Sequence, residues 1–434
     1  MADTPFRVIV IGAGPIGLFM AHALHAAKID CVVLEQRSSI ISNPGASIVI
    51  WPHGCRLLDQ LGLFATLREQ STPMKIRTNL LENGRVILSY PMWQLLQEHH
   101  GYPSLTLARS ELLRVLYEAL PDKKHRVRAG AALKDIKLVD GGAEVHLTDG
   151  TVELASVVIG ADGVHSKTRE IMETLANRPR SLPPPMVASF YGIYGHVSNQ
   201  FGLESGMFYE TRGSGIAMQL IVTPEKLFFS LLKPLPKPKS ERIRFTRNDI
   251  EEFAQSCFTV SLAPNLKFKD IWAVADKDAT TLVAQEEGLA QLWHYDRIVL
   301  LGDSVHKMTS INGLGANCGM NSAAVLANEL QKLLSFNPNP SLGELDDAFA
   351  RYKRFRVKEA KALHDNGHST TRRVAWSSWA DWFIDRVVSP WMNMGTMMEK
   401  YIYPMVKSGQ ILSYVPFEGK QGQIPWRRLP EARL

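Results

Sequence analysis

The chain has 434 residues, of which 45% are hydrophobic and 21% charged, and 49 basic against 43 acidic side chains give a net charge of +6. That length exceeds one ordinary domain, and that balance excludes a disordered or strongly acidic chain. The mild charge and the lack of a recognisable module exclude a dedicated nucleic-acid binder. No uncharged apolar run reaches the ~18 residues that a membrane span needs.

Taken in order, the chain opens on Arg7-Val8-Ile9-Val10-Ile11, a β-branched run that feeds into Gly12-Ala13-Gly14-Pro15-Ile16-Gly17. Strand, tight turn and helix N-terminus are what that order describes. Gly12 allows the turn, Gly14 lets backbone approach a pyrophosphate, and Gly17 lets helix and strand pack closely. The helix dipole and first-turn N–H groups then favour a phosphate. The helix, about Pro15 to Ala27, puts Ile16, Phe19, Met20, Ala23 and Leu24 on one face. A second apolar strand, Cys31-Val32-Val33-Leu34, ends at Glu35, 23 residues after Gly12. An acid there suits the ribose hydroxyls of a dinucleotide.

A loop with Asn43-Pro44-Gly45 follows, then the apolar Ala46-Ser47-Ile48-Val49-Ile50 and a short helix around Gly54 to Gln60. Asn83-Gly84 between apolar stretches reads as a hairpin turn, so residues 74–100 form an antiparallel insert. A helix begins near Arg109, with Ser110 as its expected N-cap. Strands follow near 126–129, 132–139 and 143–148, and Val157-Val158-Ile159-Gly160 is a buried strand that ends in Ala161-Asp162-Gly163. Residues 178–185, rich in proline, read as a linker.

From 186 to about 282 the pattern is period-two strands with turn glycines, a mostly antiparallel layer able to cover a ligand. The basic run from Lys233 to Arg247 reads as a solvated surface. Arg297-Ile298-Val299-Leu300-Leu301 then returns to the buried-strand pattern and ends in Gly302-Asp303-Ser304-Val305-His306. Helices over 315–334 and 343–364 complete this part. The last seventy residues hold five of the nine tryptophans, with Met392, Met394, Met397 and Met398. Such stripes usually pack a core; lining an apolar entrance or lying on a membrane surface is the other reading.

The four cysteines show no paired spacing and are expected as free thiols, and no Cys/His cluster has the spacing of metal ligands. The N-terminus carries no signal-peptide pattern, which points to a cytoplasmic protein, with membrane association through the C-terminal region as the alternative. Nothing in the sequence sets the oligomeric state.

The three motifs Gly12–Gly17 with Glu35, Gly160-Ala161-Asp162-Gly163 and Gly302-Asp303, the last followed by Asn312-Gly313-Leu314-Gly315-Ala316-Asn317, closely resemble those of flavin-dependent monooxygenases of the para-hydroxybenzoate hydroxylase type. Within that group the chain looks most like fungal natural-product enzymes that oxidise terpenoid, indole and polyketide scaffolds. The resemblance covers roughly residues 5–360. It implies an α/β protein: a Rossmann-type FAD-binding domain, an inserted, mostly antiparallel β-sheet substrate domain and a helical C-terminal region. The boundaries expected are 1–73 with 101–178 and 283–360 for the first, 74–100 with 179–282 for the second, and 361–434 for the third.

The resemblance also implies an enzyme that takes FAD as cofactor and NAD(P)H as electron donor. It would hydroxylate or epoxidise a bulky lipophilic metabolite with O₂, through a flavin C4a-hydroperoxide. Gly12, Gly14, Gly17 and Glu35 would hold the adenosine half of FAD, Arg109 the flavin side and Asp303 the ribityl–pyrophosphate region. Gly315 and Ala316 would face the isoalloxazine, and Asp162 is associated with both FAD and NADPH. Val49 stands where the family often has a glycine, and Asn321-Ser322 replaces a common Asp-Ala. Related fungal enzymes often carry an arginine where Tyr191 or Gly192 lies, so no catalytic arginine carries over. Tyr191, Tyr194 and His306 remain as catalytic candidates, with strand packing and a structural histidine as the competing readings. A flavin-dependent reductase of an isoprenoid and a flavin-fold binding protein without turnover are the alternative functions.

Overall fold

The computed structural model describes residues 5–41, 47–179 and 184–426. The loop expected at Asn43-Pro44-Gly45 and Ala46, and part of the linker expected at 178–185, lie outside the described residues.

The β-branched N-terminal run forms the strand Arg7–Ile11 at the centre of a six-stranded sheet. Asp30–Leu34 and Val157–Gly160 flank it in parallel, Ile298–Leu300 and Val127–Arg128 extend it, and His294–Tyr295 adds an antiparallel edge. Strands buried on both faces read as continuous apolar runs because helices cover each side. The helix Pro15–Ala26 illustrates the result. Leu18, Ala21 and His22 are buried along with Phe19, Met20, Ala23 and Leu24 of the expected stripe, and Ile16 is half-buried, so the helix is enclosed nearly all round rather than along one face. His22 Nε2 meets the Leu116 carbonyl at 2.7 Å.

A second sheet of eight strands runs in the order His306–Lys307, Thr281–Leu289, Met186–Ser198, Lys226–Lys239, Ile216–Val222, Met207–Gly213, Ile76–Leu81 and Val86–Tyr90. It is antiparallel except where Met207–Gly213 pairs with Ile76–Leu81. The hairpin around Asn83-Gly84 is therefore the outer edge of this sheet. A three-stranded meander, 133–139, 142–147 and 152–155, stands apart.

Four expectations need correction. The helix at 109 begins at Arg109 itself, with Ala108 as cap residue and no side-chain cap, so Ser110 lies inside the first turn. The strand Thr281–Leu289 runs across the expected boundary at 282, because it pairs with Met186–Tyr194 along its length. The helix expected to end near 364 continues as Leu342–Val374, across the boundary at 360. Gly367 and Thr371 carry it past Thr309 at close range: the Thr371 hydroxyl donates to Thr309 Oγ1 at 2.9 Å. Beyond it the chain breaks into short helical turns whose tryptophans divide: Trp426 is buried, whereas Trp379, Trp382 and Trp391 are exposed.

Candidate active site between the two sheets

The glycine turn closes tightly. Gly12 has φ +103°, and a Cβ on it would stand 2.7 Å from the Ala161 carbonyl oxygen. Its N–H donates to the Leu34 carbonyl at 2.8 Å, which ties the turn to the second strand. Glu35 completes the junction: Oε2 accepts from the Ala13 N–H at 2.9 Å and Oε1 from the Arg37 N–H at 3.0 Å. Gly14 is the opposite of Gly12, since a Cβ there would meet nothing within 4 Å. No side chain caps the helix it precedes, which leaves its first-turn N–H groups without a side-chain acceptor.

The second motif is spent on its own helix. Asp162 Oδ1 accepts from the Ser166 hydroxyl at 2.5 Å, and Oδ2 accepts from the Thr168 N–H and hydroxyl at 2.9 and 3.0 Å. Arg169, in the helix that follows the motif, bridges it to the third. Its guanidinium donates to the Ser304 carbonyl and to the Val164 carbonyl, both at 2.7 Å.

In the third motif Gly302 turns with φ +67° beside Ile16, and Asp303 accepts from Lys307 Nζ at 2.7 Å. Arg109 lies within electrostatic reach of Asp303 and Arg37, and burial lowers its pKa. Its guanidinium makes no hydrogen bond to another described residue. The loop 310–315 then leads into the long helix Gly315–Phe336. Its cap residue, Leu314, offers no side-chain cap, and a Cβ on Gly315 would meet nothing within 4 Å. Asn317, the last residue of that motif, pins this loop. Its Nδ2 donates to the Val49 and Gly313 carbonyls and its Oδ1 accepts from the Trp51 N–H, each at 2.9 Å. Val49 thus stands against Gly313, where a Cβ would come within 3.1 Å of it.

The three catalytic candidates part company. Strand alternation puts Tyr191 and Tyr194 on opposite faces of the large sheet. Tyr191 stacks on Phe245 at 5.7 Å and meets Phe253 edge-on at 5.1 Å, in the apolar layer away from the loop 310–315. Tyr194 points the other way, and its hydroxyl is 2.7 Å from Ser310 Oγ; burial pushes its pKa up, so it is a neutral phenol. It borders an apolar cluster of Phe190, Ala217, Leu232, Ile311, Val374 and Ala375. His306 is only 1% exposed, behind the helix Gly315–Phe336, with Nε2 2.9 Å from Ser322 Oγ. Burial and the nearby Arg356 lower its pKa to about 4. Its neutral ring is held by the Ser322 contact and by the Trp293 ring 5.6 Å away.

Sequence reasoning missed a charged group on the same sheet face as Tyr194. Glu210 is fully buried; its carboxylate accepts from Arg77 at 2.7 Å, Arg212 at 3.1 Å and Gln219 at 3.3 Å. Burial would raise its pKa, but the two guanidiniums outweigh that and hold it down to about 2. Gln219 Nε2 also donates to the Ile311 carbonyl at 2.7 Å, which joins this group to the loop 310–315. An acid, arginines and a glutamine at alternate positions of apolar strands were the only signal.

These parts fit a dinucleotide: two helix N-termini without a side-chain cap, a glycine with free space above it, an acid at the second strand and a buried arginine with no hydrogen bond to another described residue. Among the described residues no group of three or more His, Cys, Asp or Glu is placed to hold a metal. Fold and site define a two-sheet flavoprotein of the kind that oxidises small molecules. A family model described as an FAD binding domain matches residues 5–184 and 232–346. A relative from Neurospora crassa, the FAD-dependent monooxygenase srdH, is 42% identical over 98% of this chain and 99% of its own length. The FAD-dependent monooxygenase DEP2 of Alternaria brassicicola is 32% identical over 97% of this chain and 81% of its own length. Klebsiella pneumoniae HpxO, solved with FAD and uric acid, shares the fold with a TM-score of 0.76 at 21% identity, over 92% of this chain and 96% of that one. The chain belongs to the FAD-binding-domain family, among its fungal FAD-dependent monooxygenases.

Proposed function

We propose that the chain oxygenates a bulky lipophilic small molecule, held between the Tyr194 face of the large sheet and the loop 310–315. When bound, FAD supplies hydride acceptance from NAD(P)H and activation of O₂. The observation that carries the reading is the apolar cluster of Phe190, Ala217, Leu232 and Ile311, which borders the hydroxyl pair of Tyr194 and Ser310. Apolar walls with a few fixed polar groups suit a lipophilic ligand and keep water from the reacting atoms.

In this reading Gly12, Gly14, Gly17 and Glu35 hold the adenosine end of FAD. Arg109 and Asp303 take the phosphate and ribityl region, and the first-turn N–H groups at Gly315 and Ala316 stabilise negative charge beside the ring. Asp162 acts indirectly, by shaping the turn that backs Gly12. The division of labour is a cofactor domain built on the six-stranded sheet, a substrate domain built on the eight-stranded sheet and a helical C-terminal region. That region, with its exposed tryptophans, contacts a membrane surface. No helix among the described residues is long and apolar enough to cross a bilayer.

The test is a purified holoprotein with the absorbance of bound flavin, incubated with NADPH and candidate terpenoid or indole substrates under ¹⁸O₂. Label in the product supports the reading. Bound FAD with NADPH consumed and no label in any product sinks it in favour of a reductase.

A further inference from the structure

The segment after the long helix is built inside out. It runs as the helix Trp379–Phe383, a π-helical turn Ile384–Val388, a tight turn Ser389–Trp391 and, after Met394–Met397, a second π-helical turn Met398–Ile402. Its acid points inward. Asp385 is buried, paired with Arg212, and accepts from the Trp376 indole N–H at 2.9 Å. Its large apolar side chains point outward: Trp379 is 79% and Trp391 89% exposed, with Trp382, Phe383, Val387 and Tyr401 beside them in sequence. The buried carboxylate fixes this orientation, because turning the segment over would break its bonds to Arg212 and to the Trp376 indole together. Soluble monomers rarely leave so concentrated an apolar surface uncovered.

Residue chemistry says what covers it. Tryptophan and tyrosine are the side chains that favour the boundary between hydrocarbon and headgroups. With Asp385 neutralised by Arg212, Arg386 and Lys400 balance Asp381 and Glu399 within the segment, and Arg85, which shares a groove with Arg386, adds one net positive charge, the sign that anionic headgroups attract. Arg85 and Arg386 line one small groove of about 240 Å³ with Pro390.

The patch is also rooted in the substrate face. Arg212, the partner of Asp385, is register partner to Ala217 of the apolar cluster. Val374 and Ala375, just before the segment, belong to that cluster, and the Ala375 carbonyl accepts from the Gly215 N–H at 2.8 Å. We infer that the segment Ser378–Tyr401 seats the protein on a phospholipid bilayer and that the substrate reaches the sheet face from that bilayer. The first half deepens the proposed membrane contact of the C-terminal region, and the second rests also on the proposed lipophilic substrate.

The experiment uses the full-length holoprotein and sonicated vesicles of phosphatidylcholine and phosphatidylserine at 3:1. The wild type is expected to cosediment with the vesicles and to show a blue shift of tryptophan emission. The double variant Trp379→Ser, Trp391→Ser, altered only at exposed positions, should lose roughly tenfold or more in partitioning. It should keep its FAD content, its melting temperature and its turnover of detergent-dispersed substrate, yet turn over vesicle-dissolved substrate more slowly. The single variant Trp391→Ser provides a second reading should the double variant fold poorly. No vesicle binding by the wild type, or equal binding by the variants, overturns the inference. So does light scattering that finds a wild-type dimer made monomeric by the substitutions, which would make the patch a self-contact. Vesicle binding is read without turnover, so a failed ¹⁸O₂ test and a failed binding test remain distinct.

Discussion

Gly17 lies directly against Gly12: a Cβ on Gly17 would overlap the Gly12 carbonyl oxygen, whereas a Cβ on Gly14, between them in the turn, would touch nothing. The two glycines therefore serve different ends, one the packing of helix on strand and the other the space above the turn. Gly17→Ala should cost about 1–3 kcal/mol of stability through overpacking. It should melt several degrees earlier and retain little flavin. Gly14→Ala should melt as the apoprotein does in the wild type and bind FAD more weakly. Thermal melts of apoprotein, with flavin content by absorbance, check both. Equal melting of the two variants would contradict the different roles.

The first sheet was legible because its central strands are local apolar runs, ended by Gly12, Glu35, Gly160 or Gly302. The second was harder to place, since its edge comes from Ile76–Leu81 and Val86–Tyr90, far from the rest in sequence. A hairpin turn at Asn83-Gly84 marks a hairpin without naming the sheet it joins. The site divides in the same way. Gly12, Glu35 and Asp303 follow spacings imposed by a shared ligand. Glu210, Gln219 and Asn317 are set by partners more than 60 residues away in at least one contact, such as Arg77, Ile311 and Val49, and no spacing records those. Tyr191 and Tyr194 looked equivalent until strand alternation was fixed by the register Tyr194↔Ser230 and Tyr191↔Lys233.

That alternation makes a sharp test. Tyr194→Phe removes a hydroxyl fixed by Ser310 on the proposed substrate face and should lower kcat/KM by roughly tenfold, the worth of about 1–1.5 kcal/mol for one hydrogen bond. FAD content should not change. Tyr191→Phe, on the other face, should leave kcat/KM and flavin content at wild-type values. Steady-state kinetics with the same substrate decide, and an equal loss in the two variants would contradict the assignment of faces.

Glu210 is a buried charge balanced by Arg77 and Arg212. Glu210→Gln keeps the shape, strips Arg77 of its anion and leaves Arg212 with Asp385 alone. Urea unfolding at neutral pH should show a loss of about 3–5 kcal/mol, the cost of breaking a buried pair from one side. Adding Arg77→Met should recover part of that loss, since the second substitution removes the stranded charge. A double variant weaker than the sum of the singles would contradict the pairing.

Three histidines should make the fold acid-sensitive. His53, His100 and His306 are buried, and burial, their first cause, lowers their pKa values from 6.5 to about 3, 4 and 4. Both ring nitrogens of His100 lack a hydrogen-bond partner among the described residues, and its ring lies 5.4 Å from Trp426 and 5.7 Å from Tyr403. Above pH 6.5 the rings are neutral in folded and unfolded chains alike and contribute nothing to pH dependence. Below 6.5 the unfolded chain takes up protons that the folded chain refuses, so stability falls as pH drops from 6.5 to about 4. Each group contributes a slope of up to about 1.4 kcal/mol per pH unit in that window. The melting temperature should therefore be flat from pH 8 to 7 and fall steadily from 6.5 downward. His100→Phe keeps an aromatic ring under Trp426 and Tyr403 and removes one titrating group, so its melting temperature should fall less steeply over the same range. A wild-type profile that stays flat down to pH 4.5 would mean these rings reach water in the folded protein.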